Sequence, residues 1–296
     1  DYRHNETSID FPGALTAAQI VENRRQSQNS HDYNQQSTDE ISSFWRRSQS
    51  SHLECRLQTR WLNQKDTGVL ISPYHDGGNY VSIDPSIKLK YSHEQSSVGG
   101  EFHYGDYTFR NSTLSSKVKQ SALGLYNQNR WSTGSWDFIF GGRYGYFRGD
   151  LIQSGGFAYS NQALINDIGL QYHTSDNGLL TLRRSGSYRF PSADEMGWTD
   201  QHVRLNPQEG EDYRLTYAIR HHFWRAGFQV YDLVLHNEIM YLPFVGSMQY
   251  GYNTNLKQTR RLGASGWYKW MGRHFSFLFG LDYVDPKVLL GENQGN

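Results

Sequence analysis

Residues 136–146 read WDFIFGGRYGY, a segment in which large aromatic residues alternate with small or charged ones. The even positions carry the aromatic side chains Trp136, Phe138, Phe140, Tyr144 and Tyr146. The odd positions between them include Asp137 and Arg143. Successive side chains of a β-strand point to opposite faces, so a strand here has one apolar face and one polar face. The segment predicts a strand with water against its polar face.

The same alternation recurs along the whole chain. Leu53, Cys55 and Leu57 alternate with charged or polar residues, and Phe275, Phe277 and Phe279 do the same near the end of the chain. The pattern predicts thirteen strands. They cover residues 2–10, 41–49, 52–64, 80–91, 97–109, 115–131, 135–147, 162–173, 178–190, 211–222, 225–241, 249–270 and 274–284.

Short turns and longer polar stretches connect these strands in strict alternation. The turns are predicted near residues 49–51, 92–94, 133–134, 176–178, 223–225 and 271–273. The longer connections are predicted at 11–40, 65–79, 110–114, 148–161, 191–210, 242–248 and from 285 onward. Outer-membrane β-barrels have short periplasmic turns and long external loops. We therefore predict an all-β fold, a transmembrane antiparallel β-barrel whose longest strands extend past the about 9–11 residues that cross a bilayer.

Composition agrees with a barrel and argues against several other classes. The mean hydropathy is -0.75, yet 15% of the residues are aromatic, a combination that suits a protein with a lipid-facing surface and a wet interior. The 29 basic and 29 acidic residues balance, so nothing favours a nucleic-acid partner. The single cysteine, Cys55, excludes an intrachain disulfide framework. Soluble propellers are less consistent with the pattern, because each interval between turns holds two long strands rather than four short ones.

The strand count is odd, although single-chain bacterial barrels close with an even number of strands. The chain also starts within a strand at Asp1 and stops in a polar stretch at Asn296. We therefore expect residues 1–296 to form one domain that is part of a larger barrel.

Three stretches resemble TonB-dependent outer-membrane receptors. Residues 182–195, LRRSGSYRFPSADE, are similar to the family's strand that ends in Arg-x-Pro-Ser-x-x-Glu. Residues 205–215, LNPQEGEDYRL, are a looser match to its Leu-x-Pro-Glu element, because Gln208 precedes Glu209. Asn253, Asn255 and residues 259–263, TRRLG, resemble a third conserved strand. Glu195, Glu209 and Glu211 are expected to form ion pairs at the rim with arginines that face the lumen.

The resemblance implies a twenty-two-stranded barrel in the bacterial outer membrane, filled by an N-terminal plug. The chain would lack that plug and the closing C-terminal strands. Its partners would be outer-membrane lipid, the TonB complex acting through the plug, and an iron chelate such as a ferric siderophore. No cofactor is expected, and the sequence carries no catalytic motif, so the protein is not predicted to be an enzyme.

Ligand binding is assigned to the predicted external loops, where aromatic residues supply contact area and arginine attracts anionic chelates. The candidate residues are Arg24, Arg25, Tyr74, His75, Tyr159, Trp198, His202, Tyr250 and Tyr252. Two alternatives remain open. His202 would hold iron if the protein were a haem receptor, and a barrel without a plug would be a passive porin.

Overall fold

The computed structural model describes residues 1–10, 17–22, 31–70, 72–111, 115–152, 156, 158–192, 195–196, 199, 204–242 and 251–290. Its strands are β1 Tyr2–Asp10, β2 Tyr33–Ser48, β3 Leu53–Leu70, β4 Ser72–Lys90, β5 Glu94–Asn111, β6 Ser115–Thr133, β7 Trp136–Ile152, β8 Ala158–His173, β9 Gly178–Arg189, β10 Gln208–Arg220, β11 Trp224–Leu242, β12 Tyr252–Met271 and β13 Ser276–Leu290. One helix, α1, covers Ala17–Glu22. No helix in the described part of the chain has the length and apolarity to cross a membrane.

All thirteen strands form a single sheet in chain order, and every pairing between neighbours is antiparallel. This confirms the predicted fold class and the number of strands. Tight turns follow β2, β4, β6, β8, β10 and β12, as the sequence predicts. The turn after β6 uses Gly134 with a φ of 55°, a left-handed conformation that glycine adopts without steric cost.

The predicted loop at 65–79 is wrong, and its residues belong to two long paired strands. Lys65 is opposite Gly77, and the pairing continues to Leu70 opposite Ser72, so only residue 71 separates β3 from β4. The segments around 110–114 and 148–161 also contain more strand than predicted. Beyond the bilayer both faces of a strand meet water, so polar residues there do not indicate a loop.

The two faces of the sheet differ as the alternation predicts. On one face Leu182 and Leu215 lie opposite each other and are exposed, as are Phe140 and Ile168. This apolar face ends, toward the long connections, at ion pairs such as Asp232 with Arg260, whose N–O distance is 2.7 Å. The opposite, polar face carries Asp137, which is 3% exposed. The apolar face is therefore the one suited to lipid, and the ion pairs mark its external limit.

Candidate functional site

The connection from β9 to β10, residues 190–207, begins with a capping box. The backbone N–H of Ser192 donates to Glu195 Oε2 at 2.8 Å, and the Glu195 N–H donates to Ser192 Oγ at 3.2 Å. This reciprocal pattern satisfies two backbone donors at the start of a helical turn. Pro191, which has no N–H, precedes it directly after the strand has ended. The Pro-Ser-x-x-Glu stretch therefore turns the chain out of the sheet.

Arg189, the last residue of β9, ties this turn back to the strand. Its Nη1 donates to both oxygens of Glu195, at 2.8 and 2.7 Å. The expected ion pair of Glu195 with an arginine of the polar face is thus confirmed. Glu211 pairs with Arg184 at 2.6 Å, but on the apolar face, because Arg184 has the parity of Leu182 and lies opposite Tyr213. Glu209 forms no ion pair with any residue that the structure describes.

An apolar cluster buries Met196 and Leu205, two described residues of the connection, against the sheet. Met196 and Leu205 are each 2% exposed and pack with Phe147 of β7 and Tyr159 of β8. The ring centroids of Phe147 and Tyr159 are 5.7 Å apart. Because Phe147 and Gly149 share a face with Asp137, and Tyr159 lies opposite Gly149, the cluster forms on the polar face. Met196 and Leu205 therefore lie against that face.

Two asparagines at the start of β12 hold the same connection from the other side. Asn255 Nδ2 donates to the carbonyls of Asn206 and Asn237 at 3.2 and 2.7 Å, while its Oδ1 accepts the Asn206 N–H at 2.8 Å. Asn253 Nδ2 donates to the Glu195 carbonyl at 3.1 Å. Strands β10 and β11 lie between β9 and β12, so these bonds fix the connection across two intervening strands.

The Thr-Arg-Arg-x-Gly stretch of β12, residues 259–263, forms further side-chain contacts closer to the short turns. Thr259 Oγ1 donates to Glu238 Oε2 at 2.5 Å, and Arg261 pairs with the same carboxylate. A Cβ at Gly263 would lie 2.2 Å from Cζ of Tyr231, whose ring covers this glycine. Arg214 in turn has its guanidinium carbon 5.4 Å from the centroid of that ring, within cation–π distance. The three conserved-looking stretches thus form one connected structural unit.

Below the cluster the polar face carries a row of ion pairs. Arg143 pairs with Glu101, and Arg183 Nε donates to Asp167 Oδ1 at 2.8 Å. Arg214 pairs with Asp212 at 2.6 Å. Nearer the short turns, Asp137 accepts from both Arg130 and His173 Nε2, the latter at 2.7 Å. Each of these charges has a partner of opposite sign, so this part of the wall is polar but locally neutral.

Comparison with known proteins gives the family. The model of the TonB dependent receptor-like β-barrel matches residues 1–296. The chain belongs to this family of TonB-dependent receptor β-barrels. Barrels of this family are transporters of the Gram-negative outer membrane and not enzymes. The apolar face of the sheet therefore meets lipid, and the polar face lines the lumen.

Solved structures of similar fold include three transport proteins. The unliganded ferric citrate transporter FecA has a TM-score of 0.79 and 15% sequence identity. The match covers 100% of this chain and 49% of the FecA chain. The ferric-catecholate import receptor Fiu from K12 E. coli has a TM-score of 0.75, 12% identity and coverages of 98% and 55%. The copper transporter OprC has a TM-score of 0.74, 10% identity and coverages of 87% and 50%. No curated protein sequence matches the chain.

The chain thus spans about half the length of the TonB-dependent receptors that it resembles in structure. At these identities the likeness shows the shared fold alone. What each relative carries through the membrane does not transfer to this chain by similarity.

Of the predicted ligand residues, the structure describes Tyr74, His75, Tyr159 and Tyr252. Tyr74 and His75 follow each other near the tip of the β3–β4 ribbon, where burial raises the pKa of the Tyr74 hydroxyl. Tyr252 is the first residue of β12, beside the asparagines that hold the folded connection. The structure does not bring Tyr74 and Tyr252 together, since they lie on strands far apart in the sheet. Arg24, Arg25, Trp198, His202 and Tyr250 lie outside the described residues.

Tyr159 is a buried residue that supports the structure of this receptor barrel. It is 5% exposed, inside the apolar cluster at the external end of β8. Burial raises the pKa of its hydroxyl to about 12, so the phenol is neutral at any pH at which bacteria grow. Its ring supports the folded connection from below, and a ligand above that connection would not touch it in this conformation.

No group of three or more His, Cys, Asp or Glu side chains with the geometry to hold a metal occurs in the described part of the chain. His202, the residue on which haem binding would depend, is not among those residues. The arrangement that the structure does show is a lumen wall on which both described ends of the β9–β10 connection are fixed.

We predict that Asn255→Ala loosens the β9–β10 connection. The substitution removes two donated bonds and one accepted bond, each worth about 0.5–1.5 kcal/mol net. Hydrogen exchange of residues 204–207 in the intact receptor should become at least tenfold faster. The neighbouring Thr254→Ala serves as control, because no side-chain hydrogen bond of Thr254 occurs among the described residues. Equal exchange rates in the two variants would contradict the role of Asn255.

Proposed function

We propose that the protein of which this chain is part is an energy-coupled receptor that imports a ferric siderophore or similar iron chelate. The chain would supply thirteen strands of a larger barrel, and the remaining strands and a lumen-filling plug would come from the rest of the protein. Coupling to the TonB complex would act through that plug. In this reading the chain contributes the wall, the external mouth and the first contacts with the ligand.

The observation that carries the proposal is the anchoring of both described ends of the β9–β10 connection on the lumen face. A capping box, an apolar cluster and two asparagines hold these ends in place. A receptor needs such a rigid platform, because a preorganised surface binds without the cost of ordering a loop. The iron chelates named for FecA and Fiu are consistent with this choice of ligand.

The mouth also has the chemistry for an iron chelate. Tyr74 and Tyr252 offer aromatic surface with a polar hydroxyl, which is suited to stacking on organic chelators. Arg24 and Arg25, in the connection between β1 and β2, would attract chelates with a net negative charge. Each of these residues would contribute aromatic surface or positive charge without coordinating the iron itself.

Growth on defined iron sources tests the proposed function. Deletion of the gene should abolish growth on one ferric chelate, and the intact gene should restore it only in a strain with functional TonB. Restoration without TonB would show a passive porin and overturn the proposal. Growth dependence on haem alone, lost in His202→Ala, or on copper instead of iron, would overturn the assignment of ligand.

We expect Tyr252→Ala and Tyr74→Ala to weaken binding of the ferric chelate. Loss of an aromatic contact of about 1 kcal/mol corresponds to about fivefold in Kd, measured by titration of the purified intact receptor. Tyr91→Ala is the matched control, because Tyr91 is exposed beside the short turn after β4, on the periplasmic side. An unchanged Kd in both external variants would remove these tyrosines from the site.

A further inference from the structure

A small pit opens in the lumen face where two glycines are diagonal neighbours. Gly105 of β5 lies opposite Tyr80 of β4. In the next row of the sheet, Gly78 of β4 lies opposite Tyr107 of β5. Gly105 has the parity of Glu101, whose ion pair with an arginine lies on the polar face. The glycines leave out two side chains from this face, so a cavity of about 120 Å³ forms above them.

The pit has apolar walls and a side-chain amide at each end. The walls are Leu62, Tyr80, Tyr107 and Val118, and the amides are those of Gln64 on β3 and Gln120 on β6. The ring of Tyr80 is held in place, because its hydroxyl lies 2.5 Å from Nδ1 of His103. Gln64 is oriented as well, since its Nε2 donates to Oδ2 of Asp66 at 2.6 Å. These bonds fix part of the wall before a ligand arrives, which lowers the cost of binding.

The pit adjoins the apolar cluster that holds Met196 and Leu205. Gln120, at one end of the pit, lies opposite Gly149 of β7. The ring of Tyr159 covers Gly149, since a Cβ there would lie 2.4 Å from Cζ of the tyrosine. Gln120 alone therefore separates the pit from the Tyr159 ring along this row of the sheet. The pit thus belongs to the same part of the lumen wall as the anchored ends of the β9–β10 connection.

We infer that this pit seats one aromatic ring of the iron chelate, so that the ligands of the receptor are chelates that carry an aryl group. An apolar cavity of about 150 Å³ is enough to bind benzene. The pit is smaller but open to the lumen, so a ring enters it while the bond that joins the ring to the chelate stays outside. The inference rests on the proposed function and narrows its substrate class.

The chemistry of the walls favours a ring over a charged group. The rings of Tyr80 and Tyr107 offer stacked or edge-to-face contact to an aromatic ligand. Gln64 or Gln120 offers a hydrogen bond to a hydroxyl group on that ring. A carboxylate in the same place would lose its hydration against apolar walls, and neither glutamine carries a compensating charge. Chelates built only from carboxylates therefore have no group that fits the pit.

A side chain placed on the floor of the pit tests the inference. Gly105→Leu fills the pit with an isobutyl group, and the nearest atom to a Cβ there is 3.5 Å away, an ordinary contact. Gly78 is unsuitable, because a Cβ there would lie 2.0 Å from the backbone oxygen of Asp106. The matched control is Gly100→Leu on the same strand. Gly100 faces lipid, and the nearest atoms to a Cβ there are 3.6 Å away.

The first measurement is a titration of the purified intact receptor with 4-fluorophenol, followed by fluorine NMR. We expect saturable binding with a Kd of about 1 mM, which is reasonable for a ligand of this size. Gly105→Leu should weaken the binding at least tenfold, and Gly100→Leu should leave it unchanged. Heat-modifiable migration on gels checks that each barrel folds. If Gly105→Leu does not fold, Gly105→Ala replaces it, with a smaller loss of affinity expected.

The second measurement is uptake of radiolabelled iron by cells that carry the intact gene. The ferric complex of 2,3-dihydroxybenzoylserine, which contains an aromatic ring, should be taken up only in a strain with functional TonB. Gly105→Leu should reduce this uptake at least tenfold, and Gly100→Leu should not. Ferric citrate, which contains no ring, should give no uptake through this receptor.

Two results would overturn the ring site while leaving the proposed function intact. One is equal binding of 4-fluorophenol by Gly105→Leu and Gly100→Leu, or no saturable binding to the unaltered receptor, as expected if a segment of the receptor itself filled the pit. The other is TonB-dependent uptake from ferric citrate that Gly105→Leu does not change. If no ferric chelate supports TonB-dependent growth, the proposed function fails instead, and the titration still shows whether the pit binds a ring.

Discussion

Leu205→Asp should release the β9–β10 connection from the barrel wall and abolish tight ligand binding. Leu205 is 2% exposed between Met196, Phe147 and Tyr159. Removing a buried leucine side chain costs about 2–5 kcal/mol, and burying a carboxylate without a partner costs more. The connection escapes that cost by leaving the cluster, because the strands beneath it remain paired. We expect the barrel to persist with an open, mobile mouth.

Protease added to intact cells measures this release. The connection should be cleaved in the Leu205→Asp receptor and resist cleavage in the unaltered one, and affinity for the ferric chelate should fall at least tenfold. Val21→Asp is the control, since Val21 is 88% exposed in the connection between β1 and β2. A resistant connection with unchanged affinity would show that the cluster is not what holds the mouth in place.

Leu215→Arg should impair assembly of the barrel in the membrane. Leu215 lies on the lipid face of β10, about midway between the short turn and the ion pair of Glu211 with Arg184. Arginine at the midplane on the lipid face of a barrel costs about 2–4 kcal/mol. The intact receptor should fold into lipid vesicles with a lower urea midpoint, and its level in the outer membrane should drop several-fold.

The adjacent Thr216→Arg provides a close control on the same strand. Thr216 has the opposite parity and faces the lumen, where Arg183 and Arg214 are already accommodated. Its replacement should change stability by less than about 1 kcal/mol, because the new charge remains in contact with water and carboxylates. Similar destabilisation by both substitutions would mean that the two faces are assigned incorrectly.

The sequence predicts the strands and faces because the bilayer imposes a strict alternation on every strand that crosses it. Phe140 and Ile168, for example, are exposed on the apolar face and lie opposite each other. The same rule fails beyond the bilayer. The sequence around Asp76 and Gly77 predicts a loop, yet both residues belong to β4 and pair with β3. Where both faces of a strand contact water, the polarity of its residues does not indicate whether the strand is paired with a neighbour.

The candidate site could be predicted only in part. The capping box can be predicted from Ser192 followed three residues later by Glu195, because its hydrogen bonds join residues that are close in sequence. The bonds of Asn255 to Asn206 join positions 49 residues apart, so their pairing depends on the register of the two intervening connections, β10–β11 and β11–β12. The burial of Tyr159 was not foreseeable for the same reason, because Met196 and Leu205 reach it only after the connection folds back.

The ribbon of β3 and β4 gives the external surface an uneven profile. Its strands continue about 9 residues past Trp61, on the lipid face, which corresponds to about 30 Å of strand length. On the side of β9 to β12, by contrast, the chain bends inward over the opening. An antibody or bacteriophage approaching the cell would therefore contact the ribbon tip near His75 before it reached the β9–β10 connection.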